Sequence, residues 1–125
     1  MPHFVIECSQ NILEQQPADV IMDTVYDAAE TTGLFAENDI KVRLKSYEHY
    51  RLGKGKHSFL HIFGSIMEGR TTEQKAHLSN VIIQKLTSLF PDISFLSINI
   101  SEFELATYSN RSLINPLNTG RDRHF

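Results

Sequence analysis

A proline at position 2, directly after Met1, is the residue of this chain best placed for unusual chemistry. Methionine is readily trimmed ahead of a small residue. Trimming here would leave Pro2 as a free secondary amine heading the apolar segment Pro2-His3-Phe4-Val5-Ile6-Glu7-Cys8. In water such an amine is mostly protonated at neutral pH. Burial or neighbouring positive charge lowers its pKa and turns it into a general base. Residues of both kinds are present: Phe4, Phe59, Phe63 and Phe95 offer apolar walls, and Lys41, Arg43 and Arg70 offer charge. With Met1 retained, the nitrogen of Pro2 is a tertiary amide and has no useful basicity.

The three cations form a second group. Lys41 and Arg43 are two apart in a segment that alternates apolar and basic, so on a strand both point to one face. Ile40, Val42 and Leu44 point the other way. Arg70 precedes Thr71-Thr72-Glu73-Gln74, a capping box. A helix N-terminus attracts anions, and an arginine adds a planar fork suited to carboxylate. These residue types suit a carboxylate-bearing ligand. The competing reading of each is a solvated surface charge.

Other reactive side chains lead nowhere comparable. His57 and His61 are four apart, which on a strand separates them by roughly 13 Å, too far to share one ion. No metal site is expected. Cys8, the sole cysteine, has no base beside it in sequence and reads as a buried strand residue. Arg51, Lys54, Lys56 and His57 make a basic turn without an aromatic platform, which argues against nucleic acid. Gly53 and Gly55 lack the strand-to-helix setting of a phosphate loop.

The elements that must carry these residues follow from periodicity. Residues 3–8 read as a strand. Pro17 suits the first turn of a helix running to about Thr32, with Ile21, Val25, Ala28 and Ala29 as its apolar stripe and Gly33 as its stop. Residues 40–45 form a half-buried strand, and residues 59–66, apolar on both faces, form a central one. The capped helix carries Leu78, Val81, Ile82, Leu86 and Leu89 on one side and cannot pass Pro91. Residues 94–100 alternate again as a fourth strand. The pattern is two β-α-β units. Right-handed crossovers related by local twofold symmetry put both helices on one face of a single sheet. The other face, with Phe59 and Phe63, is left bare, which predicts oligomerisation.

Length and composition agree with one domain spanning 1–125, of which 105–125 reads as a C-terminal extension that packs on a neighbouring subunit or stays mobile. Residues 115–123 look irregular. Twelve basic and 15 acidic residues give a net charge of −3, with no pull toward nucleic acid. No membrane span or signal peptide is expected, and one cysteine fits a reducing, cytoplasmic setting.

The opening Pro2-His3-Phe4-Val5-Ile6-Glu7-Cys8-Ser9 resembles that of the tautomerase superfamily, and within it the 5-carboxymethyl-2-hydroxymuconate Δ-isomerases. Asn11-Ile12, Thr32-Gly33-Leu34-Phe35 and Gly69-Arg70-Thr71 extend the likeness to most of the chain, from Pro2 to about Glu104. The resemblance implies an α+β tautomerase-like pseudo-repeat, a four-stranded sheet with two helices on one face, assembled as a homotrimer with its sheets inward. It implies Pro2 as catalytic base, no cofactor, and carboxylate binding by Arg70 and the cations at 41 and 43. The related isomerases carry arginine at both latter positions. Lys41 keeps the charge but loses the bidentate grip, so Arg43 is the stronger candidate of the two. The implied reaction takes 5-carboxymethyl-2-hydroxymuconate to its 2-oxo-3-ene tautomer in homoprotocatechuate breakdown. Lys41 keeps open another unsaturated oxo or carboxylic acid, undergoing tautomerisation, hydration or decarboxylation. A non-catalytic trimeric binding protein is the remaining alternative.

Overall fold

The computed structural model describes residues 1–114; the irregular stretch expected at 115–123 lies outside them. Strand β1 covers His3–Ser9, β2 Lys41–Tyr47, β3 Phe59–Met67 and β4 Phe95–Phe103. They form one sheet in the order β2-β1-β3-β4. The β1–β2 and β3–β4 pairs are parallel, each closed by a helical crossover, and the two halves meet along an antiparallel β1–β3 seam. This is the α+β double β-α-β arrangement expected from periodicity, with β3 central.

Between β1 and β2 run a short helix, α1 (Ile12–Gln15), which the sequence reading did not anticipate, and α2 (Ala18–Thr31). Pro17 stands at the N-cap of α2, one position earlier than a first-turn proline. Helix α3 (Thr72–Leu89) starts at Thr71, whose hydroxyl accepts from the Gln74 N–H while the Gln74 side chain accepts from the Thr71 N–H. After β4 come a 3-10 turn, Leu105–Thr107, and a short α4 (Arg111–Ile114).

Strand alternation sorts the side chains into two layers. Phe4, Ile6 and Cys8 of β1 and Leu60, Ile62 and Ile66 of β3 are buried against Ile21, Val25, Ala28 and Ala29 of α2 and Leu78, Ile82 and Leu86 of α3. Both helices therefore cover one face. Close packing on that face leaves no room at Gly64, where a Cβ would meet Ile100 Cδ1 at 2.7 Å and the Phe4 ring at 3.3 Å. Helices α2 and α3 leave the opposite face uncovered, and Phe63 and Phe95 each remain 45% exposed there. His3, Lys41 and Arg43 belong to this open face by register.

Candidate active site

The start of β1 is buried between β2 and β3. Met1 is 1% exposed and Pro2 is buried. The parallel pairing of β1 with β2 brings Lys41 opposite His3 and Arg43 opposite Val5, and the Lys41 N–H donates to the Pro2 carbonyl at 3.0 Å. The segment ahead of β2 makes a tight turn closed by the Asp39 N–H on the Ala36 carbonyl, 3.1 Å. Asn38 takes φ 64 within it. Asparagine is among the few residues that visit this left-handed region readily, because its short side chain can bond locally. The turn delivers Asp39, 8% exposed, to the chain's amino terminus.

A charge cluster results. The Met1 amine contacts Asp39 Oδ2. Lys41 Nζ donates to the Asp39 carbonyl at 2.6 Å and sits 3.3 Å from Asp39 Oδ1. The carboxylate favours the ammonium form of the amine. Burial first, and then the charge and hydrogen bonding of Lys41, push the other way and bring the amine down to about 5. His3 lies next to this cluster. Its Nδ1 accepts from Arg43 Nη1 at 3.1 Å, which requires the imidazole to be neutral at that nitrogen. Burial, Arg43, Lys41 and the amine all lower its pKa, in that order. Phe103 meets the His3 ring edge-on at 6.1 Å between centroids.

The structure gathers Lys41 and Arg43 beside the terminus, and Arg70 bonds to the loop after α2 that packs on Phe4. Arg70 Nη2 donates to the Leu34 carbonyl in the loop after α2. The adjoining Phe35 ring packs edge-on against Phe4 at 6.3 Å. Among the described residues, Arg70 makes no hydrogen bond to Pro2, Lys41 or Arg43. The apolar walls also differ from those suggested by composition. Phe4 adjoins Pro2. Phe59 pairs with Phe95 at the far end of β3, beyond the Cys8–Leu60 pair, about 20 Å along the sheet at strand spacing. Phe103 and Phe35 stand nearer. Asp39 was missed altogether. Its only sequence signal is its place two residues before Lys41, in a turn whose tertiary target is not written locally. Of the other reactive side chains, Cys8 is buried and its thiol pushed up to about 11 by burial, so it is inert at neutral pH. His61 binds Ser97 and Asn99 through its two ring nitrogens at 2.6 and 2.7 Å. None of the helices among the described residues is long and apolar enough to cross a membrane.

A buried amino terminus flanked by cations on a β-α-β pseudo-repeat is one mark of kinship; sequence supplies the deciding one. A model of 5-carboxymethyl-2-hydroxymuconate isomerase matches residues 2–116. The chain belongs to this isomerase family. Among its relatives, the 5-carboxymethyl-2-hydroxymuconate Delta-isomerase of Escherichia coli is 26% identical over 92 residues, covering 72% of this chain and 73% of the relative. A 5-carboxymethyl-2-hydroxymuconate isomerase from Deinococcus radiodurans R1 superposes with a TM-score of 0.77 at 23% identity, covering 88% of each chain. A fused 4-OT protein, described as a wild-type symmetric trimer, superposes with a TM-score of 0.73 at 15% identity, covering 95% of this chain and 99% of its own. The chain thus shares both the isomerase family and the tautomerase-type fold, and β1 with Lys41, Arg43 and Arg70 lies inside the matched region.

Proposed function

We propose that this protein is a cofactor-independent isomerase that converts 5-carboxymethyl-2-hydroxymuconate to its 2-oxo-3-ene tautomer, with the Pro2 amine as proton carrier. The observation that carries the reading is the buried terminal amine beside Lys41, driven toward its neutral form. Excision of Met1 moves the amine to Pro2, about 3–4 Å along the chain. It also clears the buried space that the Met1 side chain fills. The dienol enters that space. Pro2 takes the proton of the 2-hydroxyl group, and protonated Pro2 then delivers a proton to C5. The electron pair left on oxygen forms the C2 ketone, the C2–C3 double bond shifts to C3–C4, and the C4–C5 pair takes the proton at C5. Arg43 and Arg70 hold the substrate carboxylates, and Arg43 and Lys41 stabilise charge developing on oxygen. Lys41 retains one of its three donors for this after two go to Asp39. One amine serves as base and then acid because its pKa lies within reach of neutrality.

The protein acts as a homotrimer whose open sheet face is covered by neighbouring copies. The half-exposed Phe63 and Phe95 on that face support this, as does the trimeric fused 4-OT relative. A second reading, another unsaturated oxo acid bearing fewer carboxylates, is favoured by one observation: Lys41 is largely spent on Asp39. The test is ultraviolet-monitored ketonisation of 5-carboxymethyl-2-hydroxymuconate by protein verified by mass to begin at Pro2. Loss of the dienol well above the buffer rate is expected. No acceleration from correctly processed trimer would remove this substrate and leave the second reading.

A further inference from the structure

We propose that Asp39 is a positioning residue of this site: its carboxylate bridges the terminal amine and the Lys41 ammonium and sets how readily the amine takes up and releases its proton. The inference rests on the proline-amine reading. Its support is geometric. Asp39 is nearly excluded from water, which is costly for a carboxylate unless cations meet it. Among the described residues the Met1 amine contacts Oδ2 and Lys41 Nζ lies on Oδ1, from two directions. The turn at Asn38 fixes the main chain, and the Asp39 carbonyl anchors Lys41 independently of the carboxylate.

The arrangement matters because the amine has two tasks. Burial and Lys41 alone favour a neutral amine so strongly that it would bind a substrate proton poorly. A carboxylate in contact offsets part of this and returns basicity to the amine. Among the described residues, Arg43 and His3 beside the cluster do not compensate: Arg43 adds positive charge, and burial and its cationic neighbours lower the His3 pKa. After Met1 is removed, the Pro2 nitrogen lies about 3–4 Å from the present amine position.

Asp39→Asn separates this role from packing. Asparagine keeps the side chain's shape and the main-chain carbonyl, so Lys41 stays anchored while the negative charge goes. In protein processed to Pro2 and labelled with 15N-proline, the amine titration followed by NMR should fall by about one pH unit in Asp39→Asn. Asp39→Glu should return it most of the way. The acid limb of the kcat/KM profile should move down with it, and the plateau should drop about threefold, as a weaker base takes a proton more slowly. An unchanged titration midpoint in a folded Asp39→Asn protein overturns the proposal. If Asp39→Asn does not fold, Asp39→Ser removes the same charge with a smaller side chain. A fall in the midpoint supports the proposal and no movement overturns it. The NMR titration needs no substrate, so an inactive wild type would sink the functional reading alone.

Discussion

The two ends of β1 are both rich in polar side chains, yet they use them in opposite ways. At the Ser9 end, the Ser9 hydroxyl binds Asn11 at 2.6 Å, the Asn11 amide binds the His57 carbonyl at 2.8 Å, and Ser58 and Ser94 exchange side-chain-to-backbone bonds. Nearly every partner is neutral, and several are main-chain groups that would otherwise be buried without a bond. Such contacts hold the long β2–β3 connection in place. At the Pro2 end the groups are charged and converge on one amine. Asp39, Lys41, Arg43 and His3 do not satisfy a loop. Asp39 contacts the terminal amine, burial and Lys41 lower its pKa, and Arg43 bonds to His3 beside it. Polar groups that pair off with backbone stabilise the fold, whereas charges left facing a buried titratable group store reactivity.

The contrast breaks most sharply at Pro2. In protein processed to position 2, Pro2→Ala should lower kcat/KM by about 10²-fold or more, the range for loss of a tuned acid–base group, with circular dichroism and trimer mass unchanged. Retained activity would refute the proline-base mechanism and leave the binding-protein alternative. Arg43→Ala removes a charge-assisted bond to substrate carboxylate and should cost kcat/KM about tenfold, mostly through KM. The same change frees His3 Nδ1, so a rise in the His3 pKa by NMR is expected alongside.

Smaller effects sharpen the comparison. Lys41→Ala removes a charge that holds the amine down, so the amine pKa must rise. The neutral fraction at any given pH then falls, and the acid limb of kcat/KM should shift to higher pH by about one unit. A shift to lower pH would contradict the electrostatic account. At the opposite end, Ser94→Ala deletes the acceptor for the His57 and Ser58 N–H groups. It should cost about 1 kcal/mol of stability in urea unfolding while leaving kcat/KM unchanged. An equal loss of activity there would mean that the two ends are not separable.

Much of the fold was legible because it depends on local periodicity. The stripe Ile21, Val25, Ala28 and Ala29 and the buried series Leu78, Ile82 and Leu86 fall where helical spacing places them, and the Thr71–Gln74 capping box formed as its four residues dictate. The same-face placement of both helices followed from crossover handedness. Short α1 carried too little pattern to be seen, and Pro17 was displaced by one position because N-cap and first-turn prolines look alike in sequence. The site was legible in part. Lys41 and Arg43 share a strand face by alternation, and parallel pairing with β1 brings that face to the terminus. Arg70 was read from its helix N-terminus, but its side chain is directed to the Leu34 carbonyl. The aromatic neighbours Phe35 and Phe103 come from segments remote in sequence, and composition could only name phenylalanines without choosing among them.

The sequence by itself determined the double β-α-β pattern, the bare sheet face and the family, because spacing and the opening octet are properties of contiguous residues. Only the tertiary structure decided what surrounds the amine. Asp39 meets the terminus because β2 docks parallel to β1 in one register and a left-handed Asn38 turns the chain just before it. An electrostatic environment depends on distances through space and on burial, and both arise only when segments tens of residues apart are packed together.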